Sequence, residues 1–304
     1  MTILISASVA ALSATPTFAK EVTPAEARQD GKVTTLEPIS GWNIDYGELR
    51  CRLTRGFGSQ EEPHLLNFEQ TAPSTHFNLN LAGPRVRSFA ASNTYVGFVD
   101  NLPMRKTSNA TKADNDRFGP AMILTTYDLE GTADEDNTTE NAGPVPTISS
   151  GLNLKQAELA ARVTLSRGKR VLIFETGSLR APFEALNACT ASLMEEWGFE
   201  PDAEIPDTQA RLTNLSSVAS VIQARYPAKA TRDGESANIE IFVIVESDGS
   251  VSSCKLVKAT AADSLESPAC AVFTERAKFE PALDRAGNPM RSWYKTAIFY
   301  RLSP

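Results

Sequence analysis

The stretch FEPALDRAGNPMRSWYKTAIFYRLSP, residues 279–304, decides how the end of the chain folds. A Phe-x-Pro-Ala corner and a Gly-Asn-Pro turn lead into a strand that is rich in aromatic residues. A strand with one face in water alternates apolar and polar residues, but this one carries apolar residues on both faces. The pattern predicts a strand that is either buried within a sheet or offered at its edge to another chain.

The residues before this stretch predict the elements with which it packs. Residues 239–245 are nearly all apolar, as expected of a central strand. Asp248-Gly249 is a hairpin signal, so residues 251–259 should form the next, antiparallel strand. Ser267-Pro268 suits the N-cap and the first position of a helix that reaches Lys278.

Six elements occur here in the order found in the TonB C-terminal domain family. They are Tyr226-Pro227-Ala228, the glycine turn at Gly234, the apolar strand 239–245, the hairpin Ser247-Asp248-Gly249-Ser250-Val251, Leu265-Glu266 where the family often has Leu-Asp, and Phe279-Glu280-Pro281-Ala282 where it has Phe-x-Pro-Ala. Residues 226–302 therefore resemble that family. The resemblance implies a small domain over residues 201–304, with a three-stranded antiparallel sheet and two helices.

In the family, the last strand is a sheet edge that accepts an extended segment of an outer-membrane receptor as an added strand. The resemblance places this edge at residues 291–301 and implies a set of partner-binding residues: Tyr226, Pro227, Ala228, Trp293, Tyr294, Lys295, Thr296, Ile298 and Tyr300. The alternative is that these aromatic side chains pack on the helices or on the preceding domain. A full energy transducer has a membrane anchor and a long spacer rich in Pro and Lys. Neither is evident here, so the resemblance implies peptide binding and leaves coupling to the inner-membrane proton motor open.

Three segments precede that domain. The apolar run from Ile3 to Leu12, followed by Thr17-Phe18-Ala19, predicts a secretory signal that is cleaved after Ala19; an uncleaved membrane anchor is the alternative. Residues 20–40 are polar and aperiodic, and we expect a linker. Residues 41–200 predict a β-rich domain with a packed helix, so the whole chain is of the α+β class.

Short, partly alternating runs separated by Gly, Pro, Asn and Ser predict the strands of this β-rich domain. They are residues 42–45, 48–55, 65–70, 76–82, 95–99, 121–127 and 170–176. Residues 154–165 suggest a helix, and residues 183–197 place apolar side chains at helical spacing. Residues 128–151 are acidic and poor in bulky apolar groups, which predicts a solvated loop. The polar segment 201–214 is the expected domain boundary.

The four cysteines can be paired by the elements that carry them. Cys51 shares the inner face of its strand with Leu49 and Leu53, and Cys189 lies in the apolar stripe of the helix 183–197. We expect these two to form a disulfide, with two buried free thiols as the alternative. Cys254 on the second strand and Cys270 on the following helix would form another, and the resemblance extends to periplasmic members with such a pair.

Composition excludes several classes of function. Thirty Lys and Arg residues against 37 Asp and Glu residues give a net charge of −7, which argues against nucleic-acid binding. The only histidines are His64 and His76, and no C-x-x-C spacing occurs, so neither a metal site nor a cofactor is expected. Nucleophile-elbow, P-loop and H-E-x-x-H motifs are also missing.

These observations predict an exported, periplasmic binding protein rather than an enzyme. Its expected partner is an outer-membrane TonB-dependent receptor or another envelope protein. Two alternatives stay open: a secreted enzyme that uses a pair of carboxylates, and an envelope structural protein that associates with itself through the sheet edge.

Overall fold

The structure, a computed structural model, describes residues 22–91, 93–107, 110–129, 151–200, 206–225, 228, 232, 237–260 and 268–300. We call the described residues of 22–200 the N-terminal module and those of 206–300 the C-terminal module. No helix within these ranges is long and apolar enough to cross a membrane. The expected signal and most of the expected acidic loop lie outside the described residues.

The N-terminal module is built from two sheets and three helices. Its helices are α1 (Pro24–Asp30), α2 (Leu154–Leu159) and α3 (Arg180–Glu196). Its strands are β1 (Lys32–Leu36), β2 (Asn43–Tyr46), β3 (Cys51–Gly58), β4 (Pro63–Gln70), β5 (Phe77–Ala82), β6 (Tyr95–Gly97), β7 (Arg105–Lys106), β8 (Thr111–Asn115), β9 (Gly119–Tyr127), β10 (Val163–Arg167) and β11 (Arg170–Phe174). An antiparallel sheet has the order β2-β3-β4-β5-β9-β8, and a mixed sheet has the order β1-β11-β10-β6-β7.

Helix α3 and the six-stranded sheet enclose the core of this module. The apolar stripe of α3, which includes Phe183, Leu186 and Leu193, is buried. The Phe183 ring lies 5.0 Å from that of Phe68 and 5.6 Å from that of Phe77, centroid to centroid. Burying a ring of this size stabilises the fold by about 2–3 kcal/mol, so the stripe accounts for the position of α3.

The prediction of a linker at residues 20–40 was wrong, because this segment contains α1 and β1. Thr23 and Glu26 form a reciprocal capping box that starts α1, and a proline follows the cap. Strand β1 pairs in parallel with β11. Most of its residues are exposed and only Leu36 is buried, which explains why the apolar pattern did not reveal an edge strand.

The helix expected at residues 154–165 is shorter than predicted. Helix α2 ends at Leu159, and residues 163–167 form β10 between β11 and β6. Val163 and Leu165 are fully buried there, and Val163 and Thr164 are β-branched, which favours a strand. Pairing with both neighbouring strands outweighs the weak helical pattern.

The C-terminal module contains one three-stranded sheet with two helices. Its helices are α4 (Leu215–Ala224) and α5 (Ala269–Arg276). Its strands are β12 (Arg211–Leu212), β13 (Ala237–Val245), β14 (Val251–Thr260), β15 (Phe279–Glu280), β16 (Ala282–Leu283), β17 (Pro289–Met290) and β18 (Ser292–Tyr300). The sheet has the order β14-β13-β18 and is antiparallel throughout. The α+β class, the central strand and the hairpin are thus confirmed.

The hairpin turn between β13 and β14 needs glycine for two reasons. Gly249 has a φ of +82°, a region that favours glycine. A Cβ at this position would also clash with the carbonyl oxygen of Phe279, so the turn packs directly on β15.

Helix α5 departs from the predicted capping. Pro268 occupies the N-cap, with no side-chain hydrogen bond, and the helix ends at Arg276 rather than Lys278. At the carboxyl end, Asn214 donates from Nδ2 to the Arg276 carbonyl oxygen at 2.8 Å. It also accepts from the Lys278 N–H at 3.0 Å. A side chain distant in sequence therefore ends the helix, which the local pattern could not indicate.

Both expected disulfides are present, Cys51–Cys189 and Cys254–Cys270. The first joins β3 to α3, and its cysteines are at most 1 % exposed. The second joins β14 to α5, and both of its cysteines are half-buried. The two bonds consequently differ in their access to a reductant.

We predict that a mild thiol reductant cleaves Cys254–Cys270 in the folded protein and leaves Cys51–Cys189 intact. Alkylation of the freed thiols followed by peptide mass spectrometry measures each bond. Loss of the half-buried Cys254–Cys270 bond should lower the free energy of unfolding by on the order of 3 kcal/mol, the value expected for a loop of this length. In denaturant, the control condition, both bonds should be reduced together. Equal reduction rates in the folded protein would contradict this account of burial.

Candidate functional site

The last strand, β18, forms one edge of the C-terminal sheet. It pairs with β13 along its whole length, from Ser292 opposite Val245 to Tyr300 opposite Ala237. Among the described residues, no strand pairs with its other side. An edge strand directs alternate N–H and C=O groups outward, where another chain can bind them.

One row of β18 side chains faces the helices of the C-terminal module. The Tyr294 ring lies 5.1 Å from that of Phe279 and 6.4 Å from that of Phe273, centroid to centroid. Burial raises the pKa of Tyr294, while a hydrogen bond with Thr296 acts in the opposite direction. Thr296 is buried, and Ile298 packs against the same apolar cluster. This row stabilises the domain.

The other row of β18 side chains faces the N-terminal module. The Trp293 ring stacks on Phe242 at 6.2 Å and meets Phe199 edge to face at 5.4 Å. Two residues further on, Lys295 Nζ lies 3.2 Å from Glu240 Oε2. The other oxygen of Glu240, Oε1, accepts from Asn78 Nδ2 of the N-terminal module at 3.4 Å.

Coverage on both faces explains why β18 is apolar on both faces. Trp293 packs on the N-terminal module and Tyr294 packs on the helices. This agrees with the alternative given above, in which the aromatic side chains of β18 have a packing role. Their role in binding a partner stays a prediction. The outer backbone of β18 is not engaged by another described strand, so the edge is the candidate site.

The other predicted binding residues differ in their exposure, and two of them lie outside the described residues. Ala228 is exposed, whereas Tyr226 and Pro227 lie outside the described residues. Lys295 keeps 27 % of its side-chain surface exposed, and Tyr300 is the last residue of β18. The structure thus brings six of the predicted residues, 293–296, 298 and 300, onto one strand.

A cluster that sequence reasoning missed joins the two modules. We call it the module joint: Trp197, Phe199, Phe242, Arg291 and Trp293. Trp197 and Phe242 are the closest ring pair, 4.4 Å between centroids. The Arg291 guanidinium lies 4.4 Å from the Phe199 centroid and donates to the carbonyl oxygens of Gly198 and Trp197.

The joint merges the two cores on one side of β13. Phe242 and Ile244 belong to the same buried cluster as the core of the N-terminal module. Ile241 and Val243 point to the opposite face of β13. They belong to a second buried cluster, which includes residues of α4 and α5 and which we call the helix-side cluster. In the sequence, Trp197 ends the apolar stripe of residues 183–197, and this pattern predicts that its side chain lies on the buried face of the helix. The residue instead caps the helix and packs on the other module.

The two histidines have different surroundings: His76 Nε2 lies 3.7 Å from Asp128 Oδ2 and its Nδ1 lies 2.9 Å from Thr75 Oγ1, whereas His64 lies in the core. His64 is fully buried; its Nδ1 lies 3.0 Å from the Glu62 carbonyl oxygen and its Nε2 accepts from the Arg85 N–H at 3.3 Å. Burial lowers the pKa of His64. Both ring nitrogens are occupied, so this histidine is poorly placed to act as a base. Within the part of the chain that the structure describes, no group of three or more His, Cys, Asp or Glu residues is placed to hold a metal ion.

We predict that Trp197 and Phe242 are energetically coupled across the joint. In a double-mutant cycle with Trp197→Ala and Phe242→Ala, the coupling free energy should be about 1 kcal/mol, because removing either ring deprives the other of its contact. The measurement is urea unfolding with both disulfides intact. Phe273→Ala serves as the control, because Phe273 lies in the helix-side cluster and should be additive with Trp197→Ala. Additivity of Trp197→Ala with Phe242→Ala would show that the joint is not formed in solution.

Comparison with known protein families gives a match within the C-terminal module. Residues 222–302 match the family model described as Gram-negative bacterial TonB protein C-terminal. No curated protein is similar enough to the chain to count as a match. The matched family is a non-enzymatic, transport-coupling domain whose members typically interact with outer-membrane receptors. The matched segment contains β13, β14, α5 and β18, and with them the candidate edge. The match confirms the predicted resemblance of the C-terminal module to the TonB C-terminal domain family.

Proposed function

We propose that this protein is an exported binding protein whose last strand, β18, accepts an extended segment of an outer-membrane receptor. Binding would support or modulate TonB-dependent transport across the envelope. The family match supports a role in envelope transport. The observation that carries the proposal is that β18 pairs on one side only within the described chain.

The chemistry of the edge suits recognition through the backbone. A nine-residue strand presents roughly half of its backbone groups outward, and each hydrogen bond contributes about 1 kcal/mol net. Most of this gain offsets the ordering of a flexible segment, so the affinity is expected to be weak. Main-chain bonds then supply affinity, and alternate side chains supply selectivity.

The proposed setting is the periplasm. Two disulfides suit an oxidising compartment, and the matched family consists of envelope proteins. Export would use the signal that ends at Ala19. We assign the protein no enzymatic activity, cofactor or metal, since binding at a sheet edge requires none of them.

We also propose two domains, with the boundary in residues 201–214. Among the described residues after the joint, backbone hydrogen bonds within the C-terminal module start at Asp207, whose N–H donates to the Leu283 carbonyl oxygen at 2.9 Å. Arg211 and Leu212 then pair with Glu280 and Phe279. These bonds support a boundary near the start of the polar segment.

Replacing amides by esters in β18 tests the proposal without changing side chains. An α-hydroxy acid at each of positions 294–297 replaces one N–H by an oxygen. Because successive N–H groups of a strand point in opposite directions, alternate positions should behave alike. At two positions the ester should lower the free energy of unfolding by about 1 kcal/mol. At the other two it should leave stability nearly unchanged and weaken binding several-fold.

Binding is measured by calorimetric titration of the full oxidised protein with peptides from the periplasmic amino-terminal segments of outer-membrane receptors. The ester variants that lose stability serve as internal controls for those that do not. Unchanged affinity in all four variants, with the unmodified protein binding a peptide, would show that the edge is not the binding site.

A further inference from the structure

We propose that the N-terminal module is part of the partner-binding surface, and that it selects an extended segment with an apolar residue and an acidic residue on one face. This inference rests on the proposed function, because it concerns the strand that adds to β18. The N-terminal module, which lies outside the matched residues 222–302, would then have a role in binding the partner.

The N-terminal module lies against the outer strand, β18, as well as against the centre of the sheet. At the start of β18, Phe199 contacts Trp293 and stacks under Arg291. Further along, Asn78 and Lys295 share the two oxygens of Glu240. The segment after α3 therefore contacts this row of β18 side chains directly, at Trp293, and the start of β5 contacts it through Glu240 of β13, which pairs with Lys295.

An added strand would lie within reach of these residues. Neighbouring strands are about 4.8 Å apart, and side chains on one face of adjacent strands are about 5 Å apart. Alternate residues of the partner would thus continue the row formed by Trp293 and Lys295, next to the N-terminal module. The intervening residues would continue the row of Tyr294 and Thr296, next to the helices.

The charges along the edge indicate the chemistry of the partner. Residues 291–300 contain two cations, and each forms an ion pair: Arg291 Nε lies 3.1 Å from Glu246 Oε1, and Lys295 Nζ lies 3.2 Å from Glu240 Oε2. An ammonium group has three donors, and Lys295 keeps 27 % of its side-chain surface exposed beside Glu240. A carboxylate on the partner would accept from this group. Two residues away on the same face, an apolar side chain would pack beside Trp293.

Two probe peptides test this arrangement: acetyl-Ser-Thr-Val-Thr-Glu-Thr-Ser-amide and the variant in which Val and Glu exchange places. Both are needed because an added strand can run in either direction. NMR shift titration of the full oxidised protein should show binding of at least one probe. Replacing its Glu by Lys should weaken binding about fivefold, the difference between opposite and like charges across a strand pair.

Two matched variants test whether the Lys295 ammonium group is what distinguishes the Glu peptide from the Lys peptide. Lys295→Gln retains an amide donor for Glu240 and should abolish the discrimination between the Glu and Lys peptides. Lys255→Gln, which removes the corresponding cation from the other edge strand, β14, should leave it unchanged. Discrimination that survives Lys295→Gln overturns the assignment of the acidic residue to this edge.

Crosslinking locates the N-terminal module relative to the bound probe. A benzophenone side chain in place of Val should crosslink to residues within 22–200. The same group in place of the Thr between Val and Glu should crosslink only to the C-terminal module. Binding with crosslinks confined to the C-terminal module in both cases overturns the inference but leaves the proposed function intact. If the receptor-derived peptides bind and neither probe does, the proposed partner chemistry is wrong. If neither set binds, the proposed function fails as well.

Discussion

The central strand β13 needs cover on both faces, and the arrangement of the two modules follows from this constraint. Its residues from Ile239 to Val245 are all at most 8 % exposed. The helices cover Ile241 and Val243, while Trp197 and its neighbours cover Phe242 and Ile244. Without the second layer, a large apolar face of the sheet would be exposed to water, which monomeric proteins rarely tolerate.

Because the N-terminal module covers one face of β13, the two modules share a buried core. Trp293 and Lys295 of the edge strand are fixed by Phe199, Glu240 and Asn78, so the N-terminal module helps to hold β18 in register. A C-terminal fragment alone would lose this layer and expose Phe242 and Ile244. Binding studies on such a fragment would therefore report on a different surface, and the full chain is the appropriate material.

The sequence predicted the C-terminal module well because its determinants are local. An apolar strand, an Asp-Gly hairpin and a Phe-x-Pro-Ala corner are each decided within a few residues. The pair Cys51–Cys189 could be inferred because both cysteines lie on the inner faces of their elements, and the pair Cys254–Cys270 followed from its positions on a strand and the next helix and from the family resemblance. The position of β18 at an edge came from the family resemblance, since an apolar pattern fits a central strand equally well.

What the sequence could not reveal depends on contacts between distant residues. Strand β1 exists because β11 is available to pair with it, and its own pattern is largely exposed and polar. Helix α5 ends where Asn214 binds it, more than 60 residues away in the chain. The module joint was missed because Trp197 fits the stripe of α3, and no local feature indicates that Phe242 is its partner.

Amide hydrogen exchange along β18, resolved by NMR, tests the central claim most directly. If β18 is an edge, the amides that bond to β13 should exchange slowly and the alternate amides should exchange fast in the free protein. On addition of a receptor segment, the fast set should become protected while the slow set changes little. Uniform slow exchange along β18 in the free protein would show that the outer side is already paired, and the account of this strand as a binding edge would be wrong.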